Sequence, residues 1–157
     1  MFGRLRGNMN VNKKNGQRGA ALVEFTLVVP LLLLFLFGII EFSVILYDKA
    51  VVTNASREAA REWIEYTPTK MTNSEVEDIV ENYALNRLIS FGTANPSRLT
   101  TTFKINGANA ADTTAYATTD LLTVEVQYLY DFLLLPAFVQ GFIPDLTLSA
   151  ETVMRAE

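Results

Sequence analysis

The chain has 157 residues, half of them hydrophobic and 19% charged, with a formal net charge of −4. That balance excludes a long disordered polymer and leaves room for one ordinary domain, or a small domain plus another element. Cysteine and histidine are both absent, which excludes disulfides, thiol chemistry, a Ser-His triad and nearly every catalytic zinc site.

The charge is polarised along the chain. Arg4, Arg6, Lys13, Lys14 and Arg18 all precede the first acid, Glu24. The remainder carries eight basic and all 17 acidic residues, a net of −9. A basic head on an acidic body is the pattern of a membrane protein oriented by charge. It argues against nucleic acid as a partner, because the acidic body repels phosphates.

An apolar run follows the head. Across 20–47 the only charged residues are Glu24 and Glu41. About 20 apolar residues at ~1.5 Å each cover a hydrocarbon core of ~30 Å. The run is apolar all round, as a lipid-facing helix requires. The basic residues before it predict a cytoplasmic N-terminus, with the chain after residue 47 on the outer side of a single-pass protein. A cleaved secretory signal competes with this reading, but Ser43-Val44-Ile45 and Tyr47-Asp48-Lys49 make poor small-x-small cleavage sites. The helical pattern then continues. Val51, Val52, Ala55, Ala59 and Trp63 fall on one face, and Thr67-Pro68 is the expected stop. A helix over 20–66 is about 70 Å long, with Pro30 as an expected kink.

At the boundary of head and helix stands Gln17-Arg18-Gly19-Ala20-Ala21-Leu22-Val23-Glu24-Phe25. Gly19 marks the expected helix start. Glu24 lies about one turn inside the apolar run, where an acid is costly and calls for a partner. This junction resembles the leader junction of type IV prepilins and pseudopilins. Further on come Gly38-Ile39-Ile40-Glu41-Phe42 and Asn54-Ala55-Ser56-Arg57-Glu58-Ala59-Ala60-Arg61. The succession over 19–61 resembles the TadE-like family, pseudopilins of the tight-adherence (Tad, Flp) pilus system. TadF- and TadG-like relatives share parts of the pattern. Ser56 and Ala59 stand where the family pattern has Ala and Gly, and both remain small.

The resemblance implies cleavage between Gly19 and Ala20 by a membrane prepilin peptidase. It implies an assembly and register role for Glu24 and Phe25, and a helix-packing motif of Asn54, Ala55, Arg57, Glu58 and Arg61. Cleavage frees an amine on Ala20, and Glu24 of one subunit is placed to pair with the Ala20 amine of a neighbour. The implied partners are the peptidase, other pilins and pseudopilins, the inner-membrane assembly platform and the bilayer. The implied location is the bacterial inner membrane, with the C-terminal domain periplasmic and the chain either staying in the membrane or entering the pilus. The large outer domain implies an accessory role in adhesion and biofilm formation, unlike the short major pilin.

The outer region opens with Thr72-Asn73-Ser74-Glu75. A cap at Ser74 with Glu77 three residues later predicts a helix over 75–90. Its acids, Glu75, Glu77, Asp78 and Glu81, suit a solvated helix start. Residues 92–97 read as a turn, 99–105 as a strand and Asn106-Gly107 as a turn. The 106–119 stretch reads as a loop or irregular hairpin. The clearest strand is 120–130, with Leu122, Val124, Val126 and Tyr128 on one face, and 146–154 is the last strand. The apolar segment from Phe132 to Pro144 is too short and broken to span a membrane. Either it fills the core or it presents Phe138 and Phe142 as a docking loop for bilayer or partner.

The expected fold class is α+β: a long N-terminal transmembrane helix continuing into an outer domain with a second helix and a small antiparallel sheet, a pilin-like lollipop. The expected boundaries are a basic cytoplasmic leader over 1–19, a transmembrane helix over 20–47, a helix extension over 48–66 and the outer α+β domain over 67–157. An enzyme is not expected. Asp120, Ser97 and Ser149 are its best candidates, with nothing to place them together, and Asp112 with Asp120 lacks the spacing of a calcium loop. No phosphate loop is present, and no cofactor or metal is expected. The alternative to a processed pseudopilin is an uncleaved single-pass protein with an outer ligand- or partner-binding domain.

Overall fold

The computed structural model describes residues 14–64, 71–90, 95–111 and 116–156; of 14–18 and Ala137 it describes the backbone alone. The basic side chains of the leader, the Thr67-Pro68 stop, Gly92 and Asp112 therefore lie outside the described residues. The chain divides into two compact units, Met1–Phe37 and Gly38–Glu157.

A single helix, α1 (Lys14–Ile64), contributes to both units. It is long and apolar enough to cross a membrane. Its most apolar 18-residue window has a mean hydropathy of 2.6, and only 6% of that window is buried. A helix at the centre of a soluble core would be covered. Here Leu22, Val23, Phe25, Leu27, Leu31, Leu32 and Phe35 are all exposed. Thr26 returns its hydroxyl to the Leu22 carbonyl at 2.7 Å, the way a hydroxyl in an apolar helix satisfies itself. α1 begins at Lys14, not at Gly19 as the glycine signal suggested. Once an apolar helix is nucleated, propagation into a few polar residues is cheap, and one glycine does not stop it.

From Gly38 onward the helix belongs to the folded unit. Val51, Val52, Ala55, Ala59, Ala60 and Trp63 are buried. Three alanines in that stripe are small enough for the helix to pack on the sheet, where Ser56 bonds β3 and β4. The second helix, α2 (Asn73–Leu85), buries Val76, Val80 and Ala84. Its cap is Thr72 rather than Ser74. Thr72 Oγ1 accepts from the Glu75 N–H, and the Glu75 carboxylate accepts from the Thr72 N–H at 2.8 Å. The reciprocal pair forms two residues earlier because Thr72 holds the extended backbone a cap requires. The helix also ends earlier than residue 90, at Leu85, where the Asn86 side chain donates to the Asn82 carbonyl at 2.7 Å.

The sheet has four antiparallel strands in the order β2-β1-β3-β4: β1 (Leu99–Ile105), β2 (Ala108–Asn109), β3 (Leu121–Tyr130) and β4 (Leu146–Arg155). Ile105 pairs with Ala108 across Asn106 and Gly107, both at positive φ. That is the two-residue hairpin an Asn-Gly pair favours. β3 lies between β1 and β4, and its Leu122, Val124, Val126 and Tyr128 are all buried. The opposite face carries polar residues: Lys104 pairs with Glu125 at 2.8 Å, and Gln127 donates to Glu125 at 2.8 Å. Trp63 meets Phe103 and Tyr116 edge-on, and Tyr116 donates to the Trp63 carbonyl at 2.8 Å, fixing the end of α1. One short helix, α3 (Ala137–Gln140), lies in the connection between β3 and β4. The fold is α+β, as the pattern of elements predicts.

Candidate functional site

The residues singled out at the junction sit on the first unit's helix. Gly19, Ala20, Glu24 and Phe25 are exposed, and a Cβ built on Gly19 meets nothing within 4 Å. No described residue makes a hydrogen bond or ion pair with Glu24. An unpaired carboxylate on an apolar helix is the arrangement that calls for an external cation.

The 54–61 segment lies on the second unit and splits by face. Ala55 is fully buried, while Asn54, Arg57 and Arg61 are exposed and Glu58 is half-buried. Arg61 bridges Glu58 at 2.9 Å and Glu62 at 2.8 Å. Of the five motif residues, only Ala55 packs within the fold. Ser56 does more than stay small. Its buried hydroxyl donates to the Val124 carbonyl at 2.9 Å and shares a hydrogen bond with Thr152 Oγ1 at 2.8 Å, pinning α1 to the two strands.

Two acids that the sequence does not mark as structural hold α1 to the rest of the unit. Glu41 is almost wholly buried. Its Oε1 accepts from the Tyr130 hydroxyl at 2.7 Å and the Leu133 N–H at 2.8 Å, and its Oε2 accepts from the Leu134 N–H at 2.7 Å. A buried carboxylate survives only when donors replace its lost water, and here three do. Burial and the Glu41 carboxylate together push the Tyr130 phenol far above its ordinary range. Asp48, two helical turns on, is fully buried. Its Oδ1 accepts from the Ile89 N–H at 2.9 Å, while Oδ2 has no partner. Burial pushes its carboxyl above the usual acid range, with the Ile89 N–H opposing. The neighbouring Lys49 donates to the Ser149 carbonyl on β4.

Glu41 thereby anchors the connection that follows β3. That connection begins at Asp131, which pairs with Arg98 at 2.6 Å. Phe132 packs edge-on to Tyr130, and the carbonyl of Leu135 accepts from the Gln140 side chain at 2.6 Å. The Val139 and Gln140 N–H groups donate to Pro136 O, the Phe142 N–H to Val139 O and the Ile143 N–H to Gln140 O. Phe138 and Phe142 are 70% and 89% exposed. The segment divides between the two readings: Phe132 packs against the core and 133–136 are half-buried, while Phe138 and Phe142 face outward.

The residues considered for catalysis have separate local tasks. Asp120 accepts from Asn106 Nδ2 and the Ala117 N–H at the turn before β3. Ser97 donates to Asn95 Oδ1 in a short cap, and the Ser149 backbone serves β4. Among the described residues, no group of three or more His, Cys, Asp or Glu side chains is placed to hold a metal.

These features define a class: an α+β unit whose first helix extends into an exposed apolar segment able to span a bilayer. Comparison with known families gives it a more particular place. The family described as TadE-like protein matches residues 19–61, so the chain carries the TadE-like segment, and that family belongs to structural proteins associated with the Tad pilus. No curated protein and no solved structure matches the chain. The match runs from Gly19 to Arg61 and includes Glu24, Glu41, Asp48 and Ser56.

Proposed function

We propose that this chain is a minor pseudopilin of a Tad/Flp type IV pilus assembly system, processed by a prepilin peptidase after Gly19. The observation that carries the reading is the exposed Gly19-Ala20 junction with Glu24, which has no partner among the described residues, on an apolar helix inside the TadE-like segment. The protein resides in the bacterial inner membrane with its N-terminus cytoplasmic and residues 38–157 on the periplasmic side. Processing leaves an amine on Ala20, and Glu24 pairs with the corresponding amine of a neighbouring pilin. The pairing neutralises two charges that are expensive in lipid and sets the axial register. The protein supports pilus biogenesis, adhesion and biofilm formation together with other pilins and the assembly platform.

Burial of Glu41 supports placing the outer edge of the membrane segment there, ahead of residue 47. Residues 20–40 span about 30 Å as a helix, enough for a bilayer core. It also argues against secretory cleavage near residue 47, because such a cut removes Glu41, Val44 and Ile45 from the folded unit.

Intact-mass and terminal-peptide mass spectrometry of C-terminally tagged protein, with and without its prepilin peptidase, tests the reading. A chain starting at Ala20 only when the peptidase is present is expected. A retained leader in both samples replaces the pseudopilin with an uncleaved single-pass protein whose outer domain binds a partner.

A further inference from the structure

We propose that the 132–144 loop is a second membrane contact, a foot that inserts into the outer bilayer interface beside α1. The inference rests on reading α1 as a membrane anchor. Three observations carry it.

The first is chemical. Residues 132–144 contain no charged side chain, and acids bracket them at Asp131 and Asp145. Phe138, Phe142 and Ile143 are exposed, and the neighbouring turns of α1 expose Ile39, Ile40 and Phe42. Interfacial elements bury an apolar face about 5–10 Å into the boundary of headgroups and acyl chains while their polar ends stay wet.

The second is the backbone. Peptide groups entering lipid must be satisfied from within, since lipid offers no hydrogen bonds. Six N–H groups of this loop, those of Leu133, Leu134, Val139, Gln140, Phe142 and Ile143, are paired within the unit. Pro136 and Pro144 have no N–H to satisfy. An uncharged loop beside the exposed apolar turns at Ile39, Ile40 and Phe42 favours lipid over a second copy or another pilin as the occupant.

The third is position. The two leucine N–H groups end on the carboxylate of Glu41, four residues along the helix from Phe37. The second acid of the apolar run is thus the acid that holds the loop. Its charge is covered by three donors, so it is tolerable at the edge of the hydrocarbon, and the loop is held at the same level as that edge.

The absence of native cysteine allows single-site labelling. Full-length Phe138→Cys, Phe142→Cys, Phe42→Cys and Thr118→Cys each receive a bimane label. Each is reconstituted in vesicles of phosphatidylethanolamine and phosphatidylglycerol and checked by flotation and circular dichroism. Brominated lipid is expected to quench the labels at 138 and 142 to the extent seen at 42, and aqueous iodide to quench only the label at 118. Because Phe138 and Phe142 are surface residues, labelling leaves the fold intact, and the label at 42 reports independently on the depth of the interface. Iodide quenching at 142 equal to that at 118 overturns the proposal. So does shielding that disappears on dilution into excess lipid without lipid quenching, which assigns the loop to a second copy. A protein that does not float with vesicles overturns the anchor reading itself, and the foot with it.

Discussion

Asp48 and Glu41 show how much the surroundings of a carboxylate decide. Both are buried acids on α1, yet Glu41 has three donors and Asp48 has one, with an oxygen left unpaired. Burial raises the Asp48 carboxyl above its unfolded value. A raised carboxyl stabilises the fold fully below the unfolded value, and that contribution is lost as pH rises through the folded one. Asp48→Asn keeps the acceptor for Ile89 and cannot ionise. The variant is therefore expected to gain stability relative to the parent as pH rises above the unfolded carboxyl value of about 4, and to keep that gain once the folded value is passed. Denaturant unfolding of both proteins across that rise measures the gain. Glu125 has the opposite sign, since Lys104 and Gln127 hold its carboxyl below the usual range and its contribution disappears in acid. It is common to parent and variant and cancels in the difference. Ser56 makes the same point without charge. Its size alone predicts tolerable packing, while its hydroxyl joins α1 to β3 and β4 through hydrogen bonds across 68 and 96 residues of chain.

Among the elements, α2 is set by a box of two residues. Thr72 and Glu75 satisfy each other's backbone donors, and Glu75 also favours the positive end of the helix dipole. Thr72→Ala is expected to cost about 1 kcal/mol of stability. Chemical denaturation followed by circular dichroism reads this directly, and Ser74→Ala, the alternative cap, is expected to cost less. The strands were legible because their chemistry is local. The alternation of Leu122, Val124, Val126 and Tyr128 states which face of β3 is buried, and Asn106-Gly107 states where the hairpin turns. The boundaries of α2 were less legible. Thr72 and Ser74 are both good caps followed three residues later by Glu, and only the extended backbone at Thr72 separates them. The apolar connection after β3 was not decidable at this scale either. Its composition suits a core equally well, and its first residues are held by Glu41, some ninety residues away, which captures the amides of Leu133 and Leu134.

For the whole molecule the decisive fact is where the folded unit begins. Apolarity runs through residue 47, but the unit begins at Gly38, inside that run. Glu41 binds the β3–β4 connection, while Val44 and Ile45 pack on the core. A fragment starting at Gly38 is therefore expected to be more stable than one starting at Asp48. The gap is about 3 kcal/mol or more, because hydrogen bonds to charged groups contribute ~1.5–3 kcal/mol each and their partners are left buried. Urea unfolding of both fragments in mild detergent measures it. Equal stability places the boundary back at Asp48.

The sequence by itself determined the helix, its membrane-spanning length, the strands and the resemblance to TadE-like proteins over 19–61. These follow from composition and short-range periodicity, which are properties of neighbouring residues. Only the tertiary structure decided what the acids of that helix do. Among the described residues Glu24 has no partner, Glu41 gathers a loop and a phenol, and Asp48 is enclosed with one oxygen unmatched. In one dimension all three are acids in or beside an apolar run. Their difference is set by the donors that a distant strand and distant connecting segments bring to them, and no local pattern records those donors.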